Sequence, residues 1–163
     1  MSMLYAPWRS DYVTKEEKPQ FDGCVFCGII ALNNDVEQFV LKRYTHCVLM
    51  LNRFPYTSGH LLVLPVQHAS CITELPEAAR SEIMEVTAHA ITALKSLMNP
   101  NAFNIGCNLG KSAGASIPGH MHQHIIPRWG ADMGFLELIG QTTKININLP
   151  KFYEDLVAEL EKV

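Results

Sequence analysis

Nowhere in the 163 residues is there an apolar run approaching the roughly 20 residues that a membrane-spanning helix needs. An excess of positive charge is missing too. Thirteen Lys and Arg stand against 16 Asp and Glu, a formal net charge of −3, and the basic residues are scattered. That excludes the basic stripe with which a protein grips a nucleic-acid backbone, so neither nucleic acid nor a membrane is an expected partner. A polyphosphate would have to be met by local groups rather than by a global field. Cysteines number five, an odd count and a poor start for a disulfide framework. Residues 1–18 carry charge throughout and lack the apolar segment of a secretory signal, so the expected compartment is the cytoplasm. No internal repeat and no low-complexity linker interrupts the chain.

What is present suffices for one folded domain over 1–163: 48% of residues are apolar and 18% charged, enough for an ordinary core. Residues 1–22 are polar with an aromatic scatter (Tyr5, Trp8, Tyr12) and read as an N-terminal arm. Residues 24–130 read as the core of the domain, and 131–163 as a C-terminal arm and helix. Within the core, a short helix or turn is expected at 28–32. Apolar runs of strand length follow at 36–42, 46–52 and 60–66, punctuated by turn residues at 44–45 and 55–59. The clearest helix starts at Pro76. Leu75, Ala79, Ile83, Val86, Ala90, Leu94 and Leu97 recur at spacings of three and four, and Asn99-Pro100-Asn101 ends it. Strands at 102–108 and 120–126 flank a loop over 109–119. An extended segment is expected at 141–149, then a short helix carrying Phe152, Leu156 and Leu160. Hairpin-sized gaps imply an α+β fold: a largely antiparallel five-stranded sheet, one main helix packed on it, and short N- and C-terminal elements.

Chemistry concentrates at His120, His122 and His124, which alternate with Met121, Gln123 and Ile125. In a strand these positions share one face, placing three imidazoles at intervals of roughly 6.6–7 Å. A lone histidine is more often a core or surface residue; a row of three is hard to explain as packing. Just before it runs a glycine-rich loop, 108–119. Its glycines let backbone amides approach an anion, while Asn108 and Ser116 add neutral donors, although the spacing is not that of a Walker loop. No carboxylate stands near the row. Cys24 and Cys27 have the two-residue gap of a zinc knuckle, but one such pair is only half a site, and a redox pair would want a βαβ surrounding that is absent. Cys47, Cys71 and Cys107 sit singly in apolar stretches and read as buried free thiols.

The run Gly119-His120-Met121-His122-Gln123-His124-Ile125-Ile126-Pro127-Arg128 resembles the histidine-triad family motif, His-φ-His-φ-His-φ-φ with φ apolar; Gln123 departs from it. Residues 51–65, Leu51-Asn52-Arg53-Phe54-Pro55-Tyr56-Thr57-Ser58-Gly59-His60-Leu61-Leu62-Val63-Leu64-Pro65, are similar to the strand pair upstream of that motif. The likeness covers roughly 22–130. Trp8-Arg9 and the Pro-Arg-Trp after the triad look most like the family's bacterial branch of diadenosine tetraphosphate phosphorylases and hydrolases.

The resemblance implies a nucleotide-processing enzyme that cleaves dinucleoside polyphosphates at the α-phosphate. His122 would be the nucleophile, forming a nucleotidyl-histidine that is then hydrolysed or phosphorolysed, with His124 donating to the phosphate. It further implies phosphate contacts from Asn108, Gly114 and Ser116, a ribose contact from Asn52, support of the triad by His60, and a homodimer. It also completes a structural zinc site: Cys24, Cys27, His68 and the first triad histidine, His120, with His46 the substitute ligand. Two other readings compete. One is a zinc-dependent hydrolase, since His-x-His is also a catalytic metal pattern, although outer Cα atoms roughly 13 Å apart would defeat a single ion. The other is a nucleotide-binding module without turnover.

Overall fold

The computed structural model describes residues 23–32, 34–130 and 147–162. Residues 1–22 and 131–146, with the expected arm aromatics and most of the extended segment at 141–149, lie outside the described residues. The elements run α1 (Val25–Ala31), α2 (Asp35–Gln38), β1 (Val40–Arg43), β2 (Cys47–Leu51), β3 (Leu61–Pro65), α3 (Glu77–Met98), β4 (Ala102–Cys107), β5 (Gln123–Arg128) and α4 (Leu149–Leu160). Five strands form one sheet in the order β1-β2-β3-β5-β4, every neighbouring pair antiparallel. This is the expected α+β fold.

Strands β2 and β3 are buried at every residue. Such unbroken apolar runs are what a strand covered on both faces requires. On one face lies α3, which starts after Pro76 and stops where Asn99 turns left-handed and its N–H closes on the Lys95 carbonyl. Its Ala79, Ile83, Val86, Ala90 and Leu94 pack with Leu49, Leu51, Leu61, Val63 and Ile125. Helix α4 joins this face through Phe152, Leu156 and Leu160. Its first turn is capped by Asn148, whose side chain accepts from the Lys151 N–H at 3.1 Å.

On the other face, Phe26 and Ile29 of α1 pack on Val40, Val48, Met50, Leu62 and Leu64. That cover reaches only β1 to β3. Over β5 and β4 no helix lies among the described residues, and β4 is exposed or half-exposed along its length.

Three expectations need correction. Residues 36–42 are not one strand: 35–38 form a helical turn, Phe39 is left-handed, and only Val40–Arg43 pair with β2. Side-chain chemistry overrides the apolar pattern here. The Asn34 amide donates to Glu37 at 2.6 Å. Arg43 holds Asp35 at 2.7 Å while also donating to the carbonyls of Ile30 and Leu32, and Val36 is left 68% exposed.

Second, the last strand begins at Gln123, so His120 and His122 precede it. Pairing with both neighbours stops at Gln123 because β4 turns off after Cys107 into the glycine-rich loop. Met121 N–H is instead held by the Ala69 carbonyl at 2.7 Å. Third, of the single cysteines only Cys47 is buried. Cys71 precedes a surface 3-10 turn and Cys107 ends the edge strand, so both are half-exposed, although all are free as expected.

Gln123 occupies an apolar position of the motif yet is buried. Its amide donates to Thr87 Oγ1 at 2.5 Å, and that hydroxyl donates to the Ile83 carbonyl at 2.7 Å, so the buried amide and hydroxyl are both paired.

Candidate active site

The segment 120–124 and the β3 start at His60 bring four buried histidines together. Gly59 sets His60 in place. It has φ +79°, and an added Cβ would lie 2.7 Å from Met98 Sδ and 3.1 Å from Pro127 Cγ, so no other residue fits without displacement.

The partners of each ring determine where its proton sits. A carbonyl can only accept, so His122 Nδ1, 3.1 Å from the His120 carbonyl, must carry the hydrogen, and Nε2 keeps the lone pair. His120 is the reverse. Its Nε2 donates to the Pro65 carbonyl at 2.9 Å, leaving the Nδ1 lone pair facing Cys24 and Cys27. At His60, Nδ1 receives the Tyr56 N–H at 3.1 Å and the Asn52 amide at 3.2 Å. Its proton is therefore on Nε2, donated to His124 Nδ1 at 2.9 Å. His124 in turn holds its proton on Nε2. That atom is buried and has no hydrogen-bond partner among the described residues.

Each of these rings has its pKa lowered, which favours the neutral form. Burial, then the neighbouring rings of His124 and His122, push His60 down to about 3. Burial, then His122, push His124 down to about 4. His122 is also lowered by burial, against the opposing hydrogen bond to the His120 carbonyl. Neutrality is what a nucleophilic imidazole needs. The rings of His122 and His124 stand 4.8 Å apart, Phe26 packs edge-on to His122 at 5.0 Å, and Tyr56 lies stacked on His124 at 5.7 Å.

The glycine-rich loop is anchored at two left-handed glycines, Gly110 and Gly114. Asn108 is half-buried, and its Nδ2 lies 3.7 Å from where a Gly114 Cβ would be, so these two expected anion contacts are adjacent. Ser116 is exposed further along the same loop. Asn52 is committed to His60 through its amide, and its Oδ1 accepts the Phe54 N–H at 2.9 Å.

Cys24, Cys27, His68 and His120 converge, their four donor atoms within 4.8 Å of one another. The closest approaches are 3.2 Å (Cys27 Sγ to His68 Nδ1), 3.4 Å (Cys24 Sγ to His120 Nδ1) and 3.5 Å (Cys27 Sγ to His120 Nδ1). Tetrahedral zinc with Zn–S near 2.3 Å and Zn–N near 2.0 Å spaces its donors by about 3.3–3.8 Å, so the set fits such an ion. The Cys27 thiol is pushed up by burial and by Cys24 beside it, a repulsion that a divalent cation would relieve. His46 is not part of this group. It lies at the start of β2, where its N–H donates to Glu82 at 2.5 Å.

The HIT domain model matches residues 33–130, the region that carries all of this geometry except the two cysteines and Phe26 between them. The chain belongs to the HIT domain family. It is 40% identical over 146 residues to the AP-4-A phosphorylase of Mycobacterium tuberculosis, covering 86% of this chain and 74% of that protein. Its fold is similar to that of a Zn-bound histidine triad family protein from Mycobacterium smegmatis, with a TM-score of 0.70 and 25% identity over 86% of this chain and 94% of that one. A HIT family protein from Bacillus anthracis matches with a TM-score of 0.57 and 35% identity over 69% and 77% of the two chains.

Sequence reasoning missed two members of this HIT site. Phe26, between the cysteines, packs on both His120 and His122, and Tyr56 supplies the N–H that orients His60. Proximity to the zinc-knuckle pair and to His60 was the available signal, but neither aromatic lies in a periodic pattern.

Proposed function

We propose that the protein cleaves dinucleoside polyphosphates of the diadenosine tetraphosphate type at the α-phosphate through a nucleotide transiently bonded to His122. The observation that carries this reading is the pair of tautomers. His122 offers a bare Nε2 lone pair, and 4.8 Å away the ring of His124 offers an Nε2–H that has no partner among the described residues. The name of the M. tuberculosis relative supports the substrate class.

In the first step the His122 Nε2 lone pair attacks the α-phosphorus. The P–O bond to the leaving chain breaks, and a nucleoside polyphosphate departs with the electron pair. The His124 N–H steadies charge on a phosphate oxygen, with Asn108, Gly114 and Ser116 as neighbouring donors and Asn52 toward the ribose. In the second step water or inorganic phosphate attacks the same phosphorus and the P–N bond breaks, returning His122 to its starting form. A polyphosphate leaves readily, which suits a site where the partners of His60, His122 and His124 among the described residues include no carboxylate.

Zinc at Cys24, Cys27, His68 and His120 would be structural in this reading: four protein donors leave no open position for water. Metal analysis of protein purified without added zinc should find about one equivalent per chain, and its removal should lower the melting temperature. A homodimer in the cytoplasm completes the proposal, its size checked by sedimentation.

The deciding experiment mixes enzyme with labelled diadenosine tetraphosphate and quenches early in base, where a phosphoramidate survives. One labelled nucleotide on His122, found by peptide mass analysis, is expected. Products formed in a single step with inversion at phosphorus would sink the proposal. Running the reaction with and without phosphate separates phosphorolysis from hydrolysis.

A further inference from the structure

Beyond His124, on the face of the sheet that α1 leaves bare, lies a cavity of about 230 Å³. Tyr56, Asn104, Gly106, Asn108, His124 and Ile126 line it. It is smaller than the roughly 300–1,000 Å³ that a whole drug-sized ligand occupies, so it suits one ring-sized fragment. No Lys, Arg, Asp or Glu is among its lining residues. With Asn108 and His124 assigned to the phosphate, the aromatic plane of Tyr56, the Asn104 amide and the aliphatic side chain of Ile126 suit a flat, uncharged heteroaromatic ring: stacking serves its face, and an amide pairs with its donors and acceptors.

A second observation fixes where this cavity stands along a substrate. His124 forms one of its walls and carries the buried Nε2–H that has no partner among the described residues. A phosphate oxygen is the natural acceptor for that proton, so a polyphosphate chain would lie beside His124. In-line displacement sends the leaving oxygen away from the attacking His122 Nε2, and the two halves of the substrate must therefore occupy different ground. His124 is part of the cavity wall, whereas His122 and Phe26 are not among its lining residues.

We propose that this cavity receives the base of the departing nucleoside, with Tyr56 stacking on it and Asn104 reading its polar edge. The inference rests on the two-nucleoside substrate proposed above and adds a subsite that makes the second nucleoside a determinant of specificity. Asn104, on the edge strand, is held by Arg128, whose Nη1 donates to its Oδ1 at 2.9 Å, so its amide nitrogen is the group oriented for a ligand.

Gly106 provides the test. It pairs with His124 across the β4–β5 ladder, and a Cβ built on it meets nothing within 4 Å. Gly106→Leu should fill the cavity without disturbing the strand. The measurement is the ratio of kcat/KM for diadenosine tetraphosphate to that for adenosine 5′-tetraphosphate, which has the same phosphate chain without the second nucleoside. The wild-type ratio is expected to exceed about ten, and Gly106→Leu to lower it at least tenfold. A wild-type ratio near one, or a variant that slows both substrates in proportion, would overturn the subsite while leaving the chemistry at His122 standing. Absence of label on His122 from either substrate would instead overturn the proposed reaction, and the subsite with it. Should Gly106→Leu lose its melting transition, Asn104→Ala at the exposed edge gives the same ratio test, with a fall of severalfold expected and no change counting against the subsite.

Discussion

The two faces of the one sheet carry opposite kinds of order. Under α3 and α4, Leu49, Leu51, Leu61, Val63 and Ile125 form a continuous apolar layer, in which the buried Gln123 amide is bonded to Thr87. On the other face, the apolar layer under α1 gives way at β5 to buried imidazoles, of which His124 keeps a polar atom without a partner among the described residues. A strand's alternation makes this possible, since successive residues serve different faces. Apolar packing is concentrated on one side, and the reactive imidazoles are held on the other.

Perturbations that separate the two faces test this contrast. His122→Ala should lower turnover by several orders of magnitude, as removal of a covalent nucleophile does, while the melting temperature shifts little. Retention of more than about a tenth of the activity would end the division of labour. Leu94→Ala, in the opposite layer, should cost about 2–5 kcal/mol in denaturant unfolding yet leave kcat near the wild-type value at a temperature where the fold persists. A large fall in kcat would show that the faces are not independent.

Acid should act on the histidine face. His60 is held neutral, with its pKa down to about 3 against about 6.5 in the unfolded chain. The unfolded chain therefore takes up a proton below about pH 6.5 that the native ring refuses. Native stability is complete above that value and is lost as pH falls, levelling off only near the native pKa. At pH 5 the loss from His60 alone is about 2 kcal/mol, using about 1.4 kcal/mol per pH unit. Chelator-treated wild type and His60→Gln, unfolded in urea at pH 7 and pH 5, should differ by about that amount in the stability lost between the two pH values; equal losses would refute it. The last perturbation is Thr87→Val, which removes the partner of the buried Gln123 amide. It should destabilise by about 1–3 kcal/mol and leave pH dependence unchanged, a result checked by the same urea titrations.

Much of this was legible in the residues. Strands at 46–52, 60–66 and 102–108 fall within a residue or two of β2, β3 and β4, because unbroken apolar runs mark the first two and turn residues bound all three. Pro76 and Asn99 bounded α3 for local chemical reasons. Cys24, Cys27, His68 and His120 were named together and converge. Other features were not legible. The helical turn at Asp35–Gln38 depends on Arg43 reaching back to Asp35, a contact no periodicity records. The histidines were placed on one strand, but only His124 is inside β5, since pairing depends on where β4 turns away. Nor can spacing tell which nitrogen holds a proton; that came from the carbonyls of Pro65 and His120 and the N–H of Tyr56.

The convergence of Cys24 and His120 also has a consequence for how the molecule comes into being. The two residues are 96 positions apart in sequence. The β1-β2-β3 meander closes through short connections, whereas β5 must enter between β3 and β4 from the far side of α3. Closing so long a loop costs entropy that only later contacts offset, which places such pairings late in folding. A chain still emerging from the ribosome with its end short of His120 would hold the meander and α3 but neither the donor cluster nor the carbonyl that orients His122. The chemistry thus arrives last, once nearly the whole domain is in place to constrain it.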